Sequence, residues 1–112
     1  MPQNAMNPIA MLATTSAQPF MVGVPAGMEW NVNLRVNNLT AAAVTINVWV
    51  VPNGGTVGSA TQVCFNYAIP ANDARYPLEG IQLPPGASVW IGASANNAVQ
   101  ALLHGTQKST SV

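Results

Sequence analysis

Met28-Glu29-Trp30-Asn31-Val32-Asn33-Leu34-Arg35-Val36-Asn37 alternates apolar and polar residues without a miss. Successive side chains of a β-strand point to opposite faces, so this run predicts a strand with one face in a core and one toward water. Three of the five polar positions are asparagine, and the whole chain makes the same choice. Of its 112 residues 49% are hydrophobic and 5% charged, with a formal net charge of zero. Free-standing domains keep roughly a quarter of their residues charged and hold their net charge away from zero. A neutral, amide-rich surface disperses poorly in water and suits a protein covered by its neighbours.

A chain of this length is one domain, large enough to bury a core without a metal or disulfide. Cys64 is the single cysteine, so no internal bridge is possible. With no base or cation beside it in sequence, it reads as a small buried or half-buried hydrophobe rather than a nucleophile. Three Lys and Arg against three Asp and Glu leave no basic patch for phosphates, which argues against nucleic-acid binding. No apolar run approaches the roughly 20 residues of a membrane span. The first residues lack the basic start of a secretory signal, so the expected origin is the cytoplasm of a host. Asn38-Leu39-Thr40 matches a glycosylation triplet but reads as an ordinary turn.

Outward from the decisive strand, the pattern repeats. Gln18–Val24 suits a first strand, and Val24-Pro25-Ala26-Gly27 is a turn leading into the second. Val44, Ile46, Val48 and Val50 form the inner face of a third strand, which Pro52-Asn53-Gly54-Gly55 ends. Val63, Phe65, Tyr67 and Ile69 share one phase in a fourth. Arg75–Leu83 is a strand broken by Pro77 and Gly80, as at a sheet edge or bulge. Leu83-Pro84-Pro85-Gly86 turns again, and Ser88–Ala93 and Val99–Leu103 finish the sheet through Asn96-Asn97. About seven or eight short strands separated by turn signals, with no helical periodicity, predict an all-β antiparallel sandwich or barrel. An internal echo agrees. A Pro-Gly turn, a strand and an Asn-Asn pair recur at one constant offset, Val24–Gly27 matching Leu83–Gly86 and Asn37-Asn38 matching Asn96-Asn97. The expected divisions are an extended N-terminal arm at 1–17, the β-sandwich at 18–105 and a polar C-terminal tail at 106–112. The arm reads equally as a disordered tail or as a docking segment carrying Ile9, Met11 and Leu12.

Catalytic chemistry finds no foothold. His104 is the sole histidine, and no Cys or carboxylate stands at metal-ligand spacing. Glu29, Asp73 and Glu79 show no sign of converging as an acid–base pair; solvation or ion pairs with Arg35 or Arg75 explain them. The Gly54-Gly55 loop lacks the Gly-Lys-Ser/Thr and the helix of a phosphate loop. Neither enzyme activity, a cofactor nor a metal is expected. Trp30 is in phase with the core. Trp49 and Trp90 are out of phase with their neighbours. Either they point outward with Val51, and with Leu102, as a contact patch, or their strands are buried on both faces or shifted by a bulge.

The turns Val24-Pro25-Ala26-Gly27, Val51-Pro52-Asn53-Gly54-Gly55, Ile69-Pro70-Ala71-Asn72-Asp73 and Gly80-Ile81-Gln82-Leu83-Pro84-Pro85-Gly86, in this order and spacing, resemble the small β-sandwich virion proteins of tailed bacteriophages. The resemblance covers about residues 19–103. It implies a jelly-roll-like sandwich in a virion, most simply a capsid cement or decoration protein. Such a protein bridges the major capsid protein, self-associates, and engages neither nucleic acid nor membrane. A tail or baseplate component shares the fold. A carbohydrate-binding module, with Trp49 and Trp90 as stacking platform, is the alternative of another class. The residues expected at the protein interface are Ile9, Met11, Leu12, Trp49, Val51 and Trp90.

Overall fold

The structure, a computed structural model, describes residues 4–20 and 23–110. Nine strands follow in order: β1 (Asn4–Ala5), β2 (Ile9–Leu12), β3 (Gln18–Pro19), β4 (Met28–Asn38), β5 (Val44–Val51), β6 (Gln62–Ile69), β7 (Ala74–Leu83), β8 (Ser88–Ala93) and β9 (Val99–Ser109). They form two antiparallel sheets. Sheet I runs β9-β4-β7, with β1 and β2 both on the free edge of β9, and sheet II runs β3-β8-β5-β6. The pairings nest: β2 with β9, β3 with β8, β4 with β7, β5 with β6. Nested pairs are what a long hairpin gives when its two arms roll up together, which is the eight-stranded jelly roll; β1 adds a short extra rung. The sequence pattern left the sheet order open, and this nesting decides it.

The core forms where the alternating strands face each other. Trp30, Val32, Leu34 and Val36 of β4 are buried, as are Ile46 and Val48 of β5, Val89 and Ile91 of β8, and Val99, Ala101 and Leu103 of β9. Each such Val, Leu or Ile removed from water stabilises the fold by about 1.5–3 kcal/mol. Trp30 fits the expected core position, although its indole Nε1 finds no hydrogen-bond partner among the described residues.

The echoed turns meet in space. Gly27 and Gly86 take φ of 77° and 83°, a backbone that favours glycine. Val24 N donates to Ala87 O at 2.8 Å and Gly86 N to Val24 O at 2.9 Å. One turn feeds β4 in sheet I and the other β8 in sheet II, so the echo marks corresponding positions in the two sheets.

Four expectations change. First, β6 does not keep one phase. Its register against β5 shifts twice, and Asn66 takes a positive φ of 48°. Cys64, Tyr67 and Ile69 therefore pack on the core, while Val63 and Phe65 are exposed. Asn47 Oδ1 holds this irregularity, accepting from Asn66 N and Gln62 Nε2, each at 2.9 Å. Second, residues 106–109, expected in the polar tail, continue β9, because Met28–Asn31 supply a full ladder opposite them. Third, the strand expected at Gln18–Val24 is described at Gln18–Pro19, with Phe20 N bonded to Val89 O at 3.0 Å; Met21 and Val22 lie outside the described residues. Fourth, Leu102 belongs to β9 in sheet I, away from the tryptophans of sheet II.

Candidate protein-interaction surface

The N-terminal segment is extended and spends much of its apolar surface on its own domain. β2 pairs antiparallel with β9, Ile9 opposite Leu103 and Met11 opposite Ala101. Those partners face inward, so Ile9 and Met11 pack against the core, which Met6 and Ala13 also join. Leu12 faces the other way and is 47% exposed. The chain then crosses from sheet I to sheet II. Ala13 N donates to Val99 O and accepts at its carbonyl from Asn97 N, both at 2.9 Å. Thr15 N donates to Asn96 Oδ1 and Ala93 N to Thr14 O, both at 2.8 Å. The segment is thus stitched over the β8–β9 side. Of the three residues expected to anchor it to a partner, Leu12 alone is presented outward.

Trp49 and Trp90 lie directly opposite each other across β5 and β8, and Val51 lies opposite Ser88. Val48 and Ile91, their neighbours in sequence, are fully buried in the core, so the two indoles stand on the outer face of sheet II. Both are half-buried. Trp90 Nε1 donates to Ser88 Oγ at 2.9 Å, which fixes the ring. Beside it opens a cleft of about 470 Å³ between the 52–57 loop and β8, lined by Val51, Pro52, Val57, Ser88 and Trp90 among others. Val51 is 5% exposed at its base.

Sequence reasoning missed the most exposed aromatic. Phe65 is 75% exposed, and Val63 and Tyr76 are each about half exposed. They sit on β6 and β7, the outer strands of the two sheets, which approach where Cys64 Sγ contacts Pro77 O at 3.8 Å. Strict alternation had put Val63 and Phe65 in one phase with Tyr67 and Ile69. The available signal was Asn66, a residue that tolerates left-handed backbone.

The outer face of sheet I is a lattice of amides. Asn31 Nδ2 donates to Gln82 Oε1 and Asn37 Nδ2 to Gln100 Oε1, both at 3.3 Å, and Gly80 N donates to Asn33 Oδ1 at 2.9 Å. Lys108 pairs with Glu29 at 3.1 Å, and Arg75 pairs with Asp73. The Ala74 backbone N–H, with Arg75, holds the Asp73 carboxyl below its ordinary range. Glu29 and Asp73 stand at opposite ends of β4, so these two carboxylates do not converge. Burial pushes the Cys64 thiol up, which keeps it protonated and unreactive near neutrality. Among the described residues no three of His, Cys, Asp and Glu gather as a metal site, and no helix is long and apolar enough to cross a membrane. Asn38 is 3% exposed and its Nδ2 donates to Ala42 O and Ile69 O, so the nitrogen a glycan would need is already engaged.

No protein-family model matches the chain, and no curated protein does. Among solved structures, it is similar to a chain of the T13 particle of infectious bursal disease virus, with a TM-score of 0.52 and 10% identity over 93% of this chain. It spans 31% of that chain's length. A chain from the Gx strain of the same virus gives a TM-score of 0.45 at 9% identity, covering 98% of this chain and 32% of that one. At such identities the first likeness shows the fold alone, and the second adds no argument.

Proposed function

We propose that this protein is a virion structural component of the cement or decoration type, which seats a jelly roll on a capsid and bridges neighbouring major-capsid subunits. The observation that carries the reading is the combination of jelly-roll topology with a surface nearly stripped of charge. Such a surface keeps a lone protein poorly dispersed and is well used where neighbours cover it. The fold it shares with a chain of a virus particle supports a place in a shell. The fold alone hosts several functions, so the surface rather than the topology weighs most. The mechanism is mechanical: a stable contact buries about 1,600 Å², and repetition over a shell multiplies weak contacts through avidity.

Co-sedimentation of the purified protein with expanded heads lacking it, followed by imaging, tests the proposal. Stoichiometric ordered density on the shell is the expected result. Protein recovered with tails instead moves it to a tail or baseplate. Binding to neither structure refutes the virion reading. The carbohydrate-binding alternative draws on the cleft beside Trp90, and loss of glycan binding in a Trp90→Ala variant with an unchanged fold is its test.

A further inference from the structure

The six charged residues are distributed unequally between the two sheets. Glu29 and Arg35 lie on β4, Arg75 and Glu79 on β7, Lys108 on β9, and Asp73 directly precedes β7. All belong to sheet I or its turn. No Asp, Glu, Lys or Arg occurs in β3, β5, β6 or β8, nor anywhere from residue 36 to residue 72. Sheet II therefore presents Trp49, Trp90, Phe65, Gln62 and Asn47 without one ion among them.

We propose that a second copy of this chain packs against the outer face of sheet II, with Phe65 as the protruding side chain and the cleft beside Trp90 as the recess it fills. Burying an ion costs several kcal/mol, and this face has none to strip of water. The charge-rich face, by contrast, stays wet. A two-fold contact sets the same surface against itself, so a face with any net charge would repel its copy; this face does not. The broadest side of the molecule measures 49 by 26 Å, enough to contain the about 800 Å² per partner that a stable interface uses.

The sheet order supplies the fit. β5 lies between β8 and β6. Phe65 lies level with Asn47 and Val48 along β5, and the cleft lies toward Val51 and Ser88; a two-fold axis in the plane of contact and inclined to β5 lays the Phe65 stretch of β6 over the cleft end of β8. The exposed Phe65 then comes to the Trp90 side of its partner, twice over by symmetry. The cleft, about 470 Å³, is of the size that accepts small apolar ligands, and a ring seated against Trp90 gains aromatic contact as well as burial.

Sedimentation velocity on the full chain, from micromolar to near-millimolar concentration, decides the matter. The expected result is a concentration-dependent dimer. Phe65→Glu and, at the cleft, Val57→Glu each weaken it at least tenfold, with circular dichroism unchanged. Arg35→Glu on sheet I leaves it intact. Phe65 is so exposed that its replacement spares the core, which keeps the test valid if the Val57 variant unfolds. A wild-type chain that stays monomeric overturns the proposal. So does a dimer indifferent to Phe65→Glu, or one weakened equally by Arg35→Glu. The inference does not rest on the virion reading: a dimer that ignores heads upholds this and refutes that, and a monomer that binds heads does the reverse.

Discussion

Asn38 ends the decisive strand, and replacing it should cost more than any other polar substitution in the chain. Its side chain is saturated. Nδ2 donates to Ala42 O at 2.7 Å and to Ile69 O at 3.0 Å; Oδ1 accepts from Thr40 N at 2.9 Å and Thr40 Oγ1 at 2.7 Å. These bonds shape the 38–44 loop and tie the end of β4 in sheet I to the end of β6 in sheet II. A net hydrogen bond is worth about 1 kcal/mol, and a buried carbonyl left unpaired costs about 1–3 kcal/mol. Thr40 is half-exposed and finds water, and Ala42 is exposed with its carbonyl still accepting from Thr40 Oγ1 at 2.9 Å, so the loss concentrates on the buried Ile69 carbonyl. Asn38→Ala should destabilise by about 2 kcal/mol, which lowers Tm by about 8–12 °C in a domain of this size.

Asn38→Asp sharpens the test. It keeps the volume and the acceptor for Thr40, but an ionised carboxylate then faces two carbonyl oxygens. That environment raises the folded-state pKa of the introduced carboxyl above its unfolded value of about 3.9. The sign follows. The protonated form donates one bond, so the variant approaches wild type below the unfolded pKa and falls away as pH rises through the raised folded value. Urea unfolding followed by tryptophan fluorescence, with wild type measured at each pH, reads both effects. An Asn38→Ala cost below about 1 kcal/mol, or an Asn38→Asp difference from wild type independent of pH, refutes the reasoning.

Other positions give equally direct outcomes. Gly105 adopts φ of 154° where β9 pairs with β4 opposite Val32, and a Cβ there would overlap the Asn31 carbonyl oxygen; Gly105→Ala should destabilise by well over about 1 kcal/mol in urea unfolding. Trp30→Phe removes a buried indole N–H that has no partner among the described residues, so relief offsets lost volume and thermal unfolding should show a change of under about 1.5 kcal/mol. Cys64 should react slowly with Ellman's reagent at pH 7, with a rate that climbs as pH approaches its raised pKa. Removing residues 1–12 takes Met6, Ile9 and Met11 from the core and bares the β9 edge, so the truncated chain should lose stability in thermal melts and not merely a docking segment.

The alternation from Met28 to Asn37 determined by itself that β4 is a strand with Trp30, Val32, Leu34 and Val36 inward, because period 2 admits only that placement. The Pro-Gly turns were legible for the same local reason, since a positive φ at Gly27, Gly54 and Gly86 is chemistry of one residue. The outward phase of Trp49 and Trp90 was readable from their neighbours as one of two alternatives, the other being strands buried on both faces or shifted by a bulge. What lay beyond sequence depends on partners far away in the chain. The bulges in β6 exist because Asn47 offers an acceptor to Asn66 and Gln62, and they turn Phe65 out. Gly105–Ser109 becomes strand because β4 lies beside it with a free ladder. Ile9 and Met11 turn inward because β9 has an edge to fill. The jelly-roll order, and with it the gathering of all six charges in sheet I and its turn, comes from how the strands nest, which alternation along a single strand does not encode.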